Sequence, residues 1–182
     1  MWFNNALIYK FTKPFDLTAE QISAQLQEHI FRPCGSQDQM KQGWVPAIPG
    51  TEALLHAANT CFLISLKTEE KILPTAVIKE ALEEKVQLIQ HERGQKVGKK
   101  EQQSLKEEIV QQLLPKAFTK SSRLFAYIDI KNQWIVVNSS SANKAEALLA
   151  LLRQCLGSLP ILPHKPEQDL MIAMTQWVKE DK

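Results

Sequence analysis

The stretch "TAVIKEALEEKVQLIQHERGQKVGKKEQQSLKEEIVQQLL", residues 75–114, decides what kind of fold the chain can adopt. Apolar residues recur in both of its halves at helical spacing, at Ile78, Leu82, Val86, Ile89, Leu105, Ile109 and Leu113. Pro74 and Pro115 bracket these two stripes, and Gly94 and Gly98 separate them. Two amphipathic helices joined by a short glycine-containing link predict an antiparallel helical hairpin.

The link between the two predicted helices, "HERGQKVGKK", gathers positive charge, and we call residues 91–100 the basic turn. Between Lys85 and Arg123 the chain has nine Lys or Arg and four Glu, a net charge of +5, whereas the whole chain carries +2. The turn has little to bury besides Val97, so its cations should be solvated and available to an anionic partner. The simpler alternative is a solvated turn whose charges only maintain solubility.

The rest of the chain predicts a sheet with helices packed against it. Short stretches rich in β-branched and aromatic residues predict strands at 5–11, 54–58, 60–72, 123–130 and 133–139. We expect antiparallel pairs that turn at Asn59 and at Lys131-Asn132. Residues 31–50 contain three prolines and three glycines and are predicted to be mostly loop.

Two helices should flank this sheet. Thr18 and Gln21 form a capping box, and an apolar stripe at Ile22, Leu26 and Ile30 follows it. Ser141 can cap a second helix that runs to Cys155 and ends at Gly157. The fold class is therefore α+β, with a mixed or antiparallel sheet, flanking helices and a protruding antiparallel helical hairpin. We expect a central body at residues 1–74 and 121–165 and a helical tip at 75–120.

No motif in the sequence anchors an enzyme. The four histidines are scattered, and there is neither C-x-x-C nor H-x-x-x-H nor a glycine-rich phosphate loop. Cys34 could act as a nucleophile if His29 or His56 lay beside it, but a small residue in a tight loop is the simpler interpretation. We therefore expect no catalytic residue, no metal and no cofactor.

The composition also bears on the compartment. Three cysteines far apart argue against a disulfide framework and for a reducing cytosol. The sequence shows no signal peptide and no apolar run approaching the roughly 20 residues of a membrane helix. We expect a cytoplasmic protein without a membrane partner.

Five blocks of the sequence carry a resemblance to a known family: "WFNNALIYK" (2–10), "RPCGSQDQMKQGWVP" (32–46), "EEKILPTAVIKEALEEKV" (69–86), "KKEQQSLKEEIVQQLLPKAF" (99–118) and "AEALLALLRQCLGSLP" (145–160). In this order they resemble the recombination-associated protein RdgC family of Gram-negative bacteria. The match runs from Trp2 to about Trp177. Family chains continue well past the position of Lys182, so residues 166–182 are expected to begin a truncated base region.

The resemblance implies a non-sequence-specific DNA-binding protein without enzymatic activity. Family members form a ring-shaped homodimer around duplex DNA, limit the access of the strand-exchange protein RecA, and are linked to replication fork repair. The implied location is the nucleoid, and single-stranded DNA is a further candidate ligand. Carried onto this chain, the hairpin resembles the family's tip, and the surrounding strands and helices resemble its centre.

The candidate site residues are cations and one aromatic. Lysines and arginines that can neutralise phosphate are expected at Arg93, Lys96, Lys99, Lys100, Lys116, Lys120 and Arg123. Phe118 lies among the last three; it could stack on a base, fill the core or pack at an interface. The resemblance implies the last of these, a contact that closes the dimer. The alternative function is a protein-interaction module that uses the hairpin without binding DNA.

Overall fold

The computed structural model describes residues 3–164 and 170–180. Within these ranges the chain forms seven strands, five α-helices and one 3₁₀ turn. In chain order they are β1 Leu7–Phe11, α1 Ala19–Gln27, β2 Met40–Val45, β3 Leu55–Ala58, β4 Cys61–Lys71, α2 Thr75–Arg93, α3 Lys99–Leu113, the 3₁₀ turn Leu114–Lys116, β5 Thr119–Asp129, β6 Trp134–Val137, α4 Ala142–Leu156, β7 Ile161–Pro163 and α5 Leu170–Glu180. The α+β fold class is confirmed.

The strands of the described residues form one antiparallel sheet in the order β2-β4-β5-β6-β1-β7, and β3 pairs with β4. Both predicted antiparallel pairs are present, β3 with β4 and β5 with β6. Their turns use residues with positive φ, Asn59 at 53° and Gln133 at 60°. Asparagine tolerates this left-handed backbone, which fits the turn at Asn59.

The chain divides into two compact units. Unit 1 takes residues up to Glu28, Pro46–Ile64 and the chain from Leu124 onward, and unit 2 takes His29–Val45 and Ser65–Arg123. In unit 1, helix α1 contacts both α4 and β3. The fully buried side chains of unit 1 form its core and include Ile22, Leu26, Ile128, Ile135, Val137, Leu148, Leu149 and Leu152.

The starts of the two flanking helices differ in how they are capped. At α1 the Gln21 N–H donates to Thr18 Oγ1 over 3.3 Å, and the Thr18 N–H donates to Gln21 Oε1 over 2.9 Å, so the predicted capping box is confirmed. Helix α4 begins after Ser141 and ends at Gly157 with φ 73°, as expected, but the Ser141 side chain makes no capping bond. The Ser139 hydroxyl instead accepts from the Ser141 N–H over 3.0 Å.

The prediction that residues 31–50 are mostly loop is wrong at β2, and the predicted stripe is wrong at Ile30. Helix α1 ends at Gln27, and Ile30 is 44% exposed in a parallel bridge with Trp44. The Phe31 N–H donates to the Trp44 carbonyl, and the Trp44 N–H donates to the His29 carbonyl, both over 2.9 Å. Pairing with distant segments therefore overrides the loop preference of the glycines and prolines.

Two strands of the described chain were missed for the same kind of reason. In β2, Gly43 lies where a side chain would place Cβ only 2.4 Å from the Phe31 Cα, so glycine there permits close backbone approach rather than a turn. Strand β7 has only three residues, one of them proline, and forms by pairing with β1. Within the described residues, no helix has the length and apolarity to cross a membrane.

Candidate nucleic-acid interface

Helices α2 and α3 of unit 2 contact each other along the predicted hairpin. Lys85 Nζ lies 2.8 Å from Glu108 Oε1, and Arg93 Nη1 lies 2.7 Å from Glu101 Oε1. The later residue of α2 pairs with the earlier residue of α3, so the two helices run antiparallel. Ile109 of α3 is buried, whereas the stripe of α2 is only half-buried.

The basic turn joins these helices and exposes its cations. Helix α2 ends at Gly94, whose φ of 67° is left-handed and whose N–H donates to the Gln90 carbonyl. Val97 is 7% exposed and is the buried anchor of the turn. Lys96, Lys99 and Lys100 are exposed. The turn is thus fixed by one apolar side chain while its ammonium groups face solvent.

The position of two of these lysines is unfavourable for the helix itself. Lys99 and Lys100 occupy the first turn of α3, where the positive end of the helix dipole opposes cations. The N-cap is Gly98, which provides no side-chain capping bond to the first N–H groups. The first N–H groups of α3 and two lysines therefore belong to one helix end, which also contains Glu101, and the N–H groups and lysines favour a bound anion such as phosphate.

Arg93 differs from the three lysines because an acid already neutralises it. Its guanidinium is exposed but donates to the Glu101 carboxylate of the facing helix. All four predicted cations of the turn therefore lie together in the structure. Arg93 is paired with Glu101, and the three lysines do not share this partner. This ion pair also fixes the relative position of the two helix ends.

The second predicted group of cations is less uniform. Lys116 ends the 3₁₀ turn, and Lys120 and Arg123 lie on β5, all three exposed. Lys120 and Arg123 are three residues apart on a strand, so their side chains point to opposite faces of the sheet. Ser121 donates to Glu69 Oε2 over 3.2 Å. Arg123 lies on the same face of β5 as Ser121, because the two residues are two positions apart. A single flat surface cannot contain both cations.

Phe118 lies between these cations and is 84% exposed. It therefore does not fill the core of this chain. Its backbone is nevertheless fixed, because the Phe118 carbonyl accepts from the Ile72 N–H over 2.8 Å. Ile72 is itself 46% exposed. An ordered backbone with an exposed ring is compatible with a contact to another molecule.

Cys34 is occupied by contacts within the chain. Its N–H donates to Glu69 Oε1 over 2.8 Å, and its Sγ donates to the Glu69 carbonyl over 3.3 Å. The bond from the Cys34 N–H is the main cause that lowers the pKa of Glu69, and Ser121 and Lys67 lower it further. These contacts tie the loop to β4, which fits the tight-loop interpretation of Cys34.

Some candidate features were not found from the sequence. Lys106 of α3 lines a groove of about 520 Å³ with Glu107 and four glutamines from α3 and residues 37–39. A second cavity of about 350 Å³ lies in unit 1 beside Tyr127 and Trp134. The sequence contained one signal for this second cavity, because the alternation of "QWIVV" places Trp134 and Val136 on one face of β6. Among residues 3–164 and 170–180, no three His, Cys, Asp or Glu side chains are grouped to hold a metal.

Comparison with known proteins gives one consistent family. A family model described as "Putative exonuclease, RdgC" matches residues 1–182. Proteins named "Recombination-associated protein RdgC" are 47% identical over 181 residues in Aeromonas hydrophila, 45% over 179 in Tolumonas auensis and 44% over 180 in Salmonella paratyphi B.

These alignments cover 98–99% of this chain but only 59–60% of each relative. The chain thus spans about three fifths of the length of the curated relatives that it matches. The family model covers every residue of the chain, and the identities are far above the level at which families become uncertain. The chain belongs to the RdgC family.

Proposed function

We propose that this chain is a DNA-binding protein of recombination that contacts phosphates through the basic turn, without sequence specificity and without catalysis. One observation carries the proposal: Lys96, Lys99 and Lys100 are exposed in one turn, and two of them stand where the helix dipole disfavours cations. Charges that cost helix stability suggest a ligand that offsets the cost. The names of the relatives add recombination, a process whose substrate is DNA.

The expected binding mode is electrostatic. Lysines that contact phosphates position a protein on the duplex but carry no sequence information. Binding of this kind releases condensed counterions, so its affinity falls steeply as salt rises. Lys106 and Lys116 extend the exposed positive charge along unit 2, together with Lys120 or Arg123 on either face of β5.

The remaining proposals concern assembly and cellular role. An exposed Phe118 supports a symmetric homodimer that uses this ring twice, and closure of such a dimer would form a ring around duplex DNA. A protein that occupies duplex DNA in this way would compete indirectly with RecA and modulate recombination and replication fork repair. Its location would then be cytoplasmic and nucleoid-associated. The same proposal includes a separate tip, formed by residues 75–120, that protrudes from the body.

A protein-interaction module is the second candidate, and exposed apolar residues favour it. Val77 and Leu88 of α2 are 44% and 61% exposed, so this helix offers an apolar edge to a partner. The description of the family model adds an exonuclease as a further possibility to test. A nuclease assay on end-labelled duplex with Mg²⁺ or Mn²⁺ separates that reading from pure binding.

The deciding experiment compares two double variants. Lys99→Ala with Lys100→Ala removes two cations of the basic turn, and Lys13→Ala with Lys179→Ala removes two exposed lysines of unit 1. Duplex affinity is measured by gel shift at several salt concentrations. The first variant should bind more weakly and lower the salt slope by about 1.8, which is about 0.9 per lost contact. Equal affinity and slope in both variants would move the binding surface away from the turn.

A further inference from the structure

One face of the sheet in unit 1 carries two large aromatic side chains, Tyr127 and Trp134. The register places Leu162, Lys10, Trp134 and Asp129 in one row across β7, β1, β6 and β5. The next row on this face contains Ile8, Val136 and Tyr127. The opposite face is the core, where Tyr9, Ile128 and Ile135 are buried. We call the side of the sheet that bears Lys10, Tyr127, Asp129 and Trp134 the aromatic face.

Both large rings of this face line one cavity. It has a volume of about 350 Å³ and is lined by Ile8, Tyr127, Asp129, Asn132, Trp134 and Val136. Because Tyr127 pairs with Val136, Trp134 is its diagonal neighbour, and such pairs are about 7–8 Å apart. That separation is between backbone positions and is within reach of aromatic side chains. Both rings line the cavity, so a planar ligand in it would lie against each of them.

Outer contacts hold both rings in place. The Trp134 ring lies 4.8 Å from the His164 ring, and the Tyr127 ring lies 5.6 Å from the Phe3 ring, measured between centroids. Each wall of the cavity is therefore backed by a second aromatic. Rings that are fixed in this way lose little further freedom when a planar ligand enters between them.

The cavity also contains a fixed acceptor. Asp129 Oδ1 accepts from the Asn132 N–H over 2.9 Å, and Asp129 Oδ2 accepts from Asn132 Nδ2 over 2.7 Å. The Lys131 N–H also donates to this carboxylate, so one of its roughly four acceptor positions remains for a ligand. A base with an exocyclic amino group can donate to such a carboxylate, as cytosine does through its N4 amino group.

The charges around the cavity indicate which planar ligand fits. Lys10 lies directly across the strand pair from Trp134, and Lys131 precedes Asn132; both lysines are exposed. Two ammonium groups beside one carboxylate would repel a guanidinium from a basic peptide. They would attract the phosphates on either side of a nucleobase.

We propose that the aromatic face binds single-stranded nucleic acid, with one unpaired base between Tyr127 and Trp134 and its flanking phosphates on Lys10 and Lys131. The base would donate its amino group to Asp129. A duplex keeps its bases stacked inside the helix and cannot enter. The site lies in unit 1 and shares no residue with the basic turn, so it goes beyond the proposed function and does not depend on it.

The test uses fluorescein-labelled oligo(dC) and a duplex of equal length, with affinity measured by anisotropy. Trp134→Leu and Tyr127→Leu should each weaken oligo(dC) binding by about tenfold, because stacking of one base is lost. Duplex affinity should change less than about twofold. Trp134→Phe should keep most of the oligo(dC) affinity. Leu162→Ala is the control on the same face, since Leu162 is 61% exposed and lies outside the cavity.

Two further variants keep the test decisive if a ring substitution impairs folding. Lys10→Gln removes only an exposed charge and should lower the salt slope for oligo(dC) by about 0.7. Asp129→Asn should reduce the preference for oligo(dC) over oligo(dT), which lacks the amino group. Unchanged oligo(dC) affinity in Trp134→Leu and Lys10→Gln would overturn the proposal.

Other outcomes assign the face to another partner. A parallel loss of duplex and oligo(dC) affinity in Trp134→Leu would contradict a site for unpaired bases. A changed sedimentation coefficient in Trp134→Leu, with oligo(dC) affinity intact, would show a contact between copies of the chain instead. Failure of the Lys99/Lys100 variant to affect duplex binding would reject the proposed function alone, because oligo(dC) binding at the aromatic face would remain.

Discussion

At Gly43 the backbone of β2 approaches Phe31 so closely that any side chain must displace it. A Cβ there would lie 2.4 Å from the Phe31 Cα and 2.6 Å from its nitrogen, and these are backbone atoms that cannot rotate away. We predict that Gly43→Ala lowers the free energy of unfolding by at least the 1–3 kcal/mol or so that overpacking costs. Urea denaturation followed by circular dichroism measures this loss.

Gly98→Ala is the matched control for Gly43→Ala. A Cβ at Gly98 meets no atom within 4 Å, although alanine is a weaker N-cap than glycine. Its cost should stay below about 1 kcal/mol. Equal losses in the two variants would show that the approach of β2 to Phe31 does not limit stability.

Ionisation of Glu69 makes the free energy of unfolding depend on pH. The Cys34 N–H chiefly lowers the pKa of this carboxyl in the folded protein, so the folded state prefers the ionised form. The resulting stabilisation is fully present above the ordinary glutamate pKa of about 4.3 and disappears as the pH falls through the lower folded-state pKa. Glu69→Gln should therefore destabilise most at neutral pH and progressively less below about pH 4.3.

Thermal melting between pH 7 and pH 3 measures the difference between the wild type and Glu69→Gln. Glu80→Gln, at an exposed position of α2, controls for the loss of one negative charge. A difference between Glu69→Gln and wild type that stays constant over the whole range would mean that the Cys34 contact does not depend on ionisation.

At the scale of elements, Glu101 at the start of α3 limits the positive charge that the ends of α2 and α3 expose. Glu101 neutralises Arg93 across the hairpin and also adds a negative charge beside Lys99 and Lys100. We predict that Glu101→Gln raises duplex affinity several-fold and steepens the salt slope by up to about 0.9, because Arg93 becomes free to contact a phosphate. Gel-shift titrations at several salt concentrations measure both quantities.

Glu80→Gln provides the control for Glu101→Gln, since it removes one acid from α2 without releasing a cation of the turn. It should leave the salt slope unchanged. If Glu101→Gln lowered duplex affinity, the cross-helix ion pair would be needed to hold the turn in its binding geometry.

The elements that the sequence predicted well are those whose signals are local. The hairpin helices, the capping box of Thr18 and Gln21, and the turn at Asn59 all depend on residues within a few positions of each other. Strands β2 and β7 depend instead on partners far along the chain. The glycine and prolines in and beside them predict loops when only the local sequence is considered. The rows of the aromatic face required the register of four strands, which spacing alone does not give.

The candidate site was predicted to a similar extent. Charge and glycine spacing placed the exposed lysines of the basic turn. The pairing of Arg93 with Glu101 was not predictable, because it depends on the relative position of two helices. Likewise, the opposite directions of Lys120 and Arg123 follow only once β5 is known to begin at Thr119.

At the scale of the whole molecule, the exposed ring of Phe118 concerns association. A ring that is 84% exposed contributes little to the core, so its removal should hardly change the melting temperature. We predict that Phe118→Ser weakens self-association, because an aromatic can bury about 150–250 Å² against a second copy, and a symmetric dimer uses the contact twice. Sedimentation velocity over a concentration series measures the change.

Leu88→Ser is the control for Phe118→Ser, since Leu88 is another exposed apolar residue, 61% exposed on α2. It should leave the self-association that we propose for Phe118 unchanged. A stable dimer in Phe118→Ser, or dissociation in Leu88→Ser instead, would place the interface elsewhere and favour the apolar edge of α2.

Strand β1 has consequences for the chain as it leaves the ribosome. It is the first of the described strands, yet its two neighbours are Trp134–Val137 and Ile161–Pro163. At roughly 5–20 residues per second, synthesis from Phe11 to Val137, the end of the first partner strand, takes about 6–25 s. The hairpin of α2 and α3, whose contacts are local, can form within that interval. During it the apolar "LIYKF" segment stays unpaired, so a nascent-chain chaperone would find its target at β1.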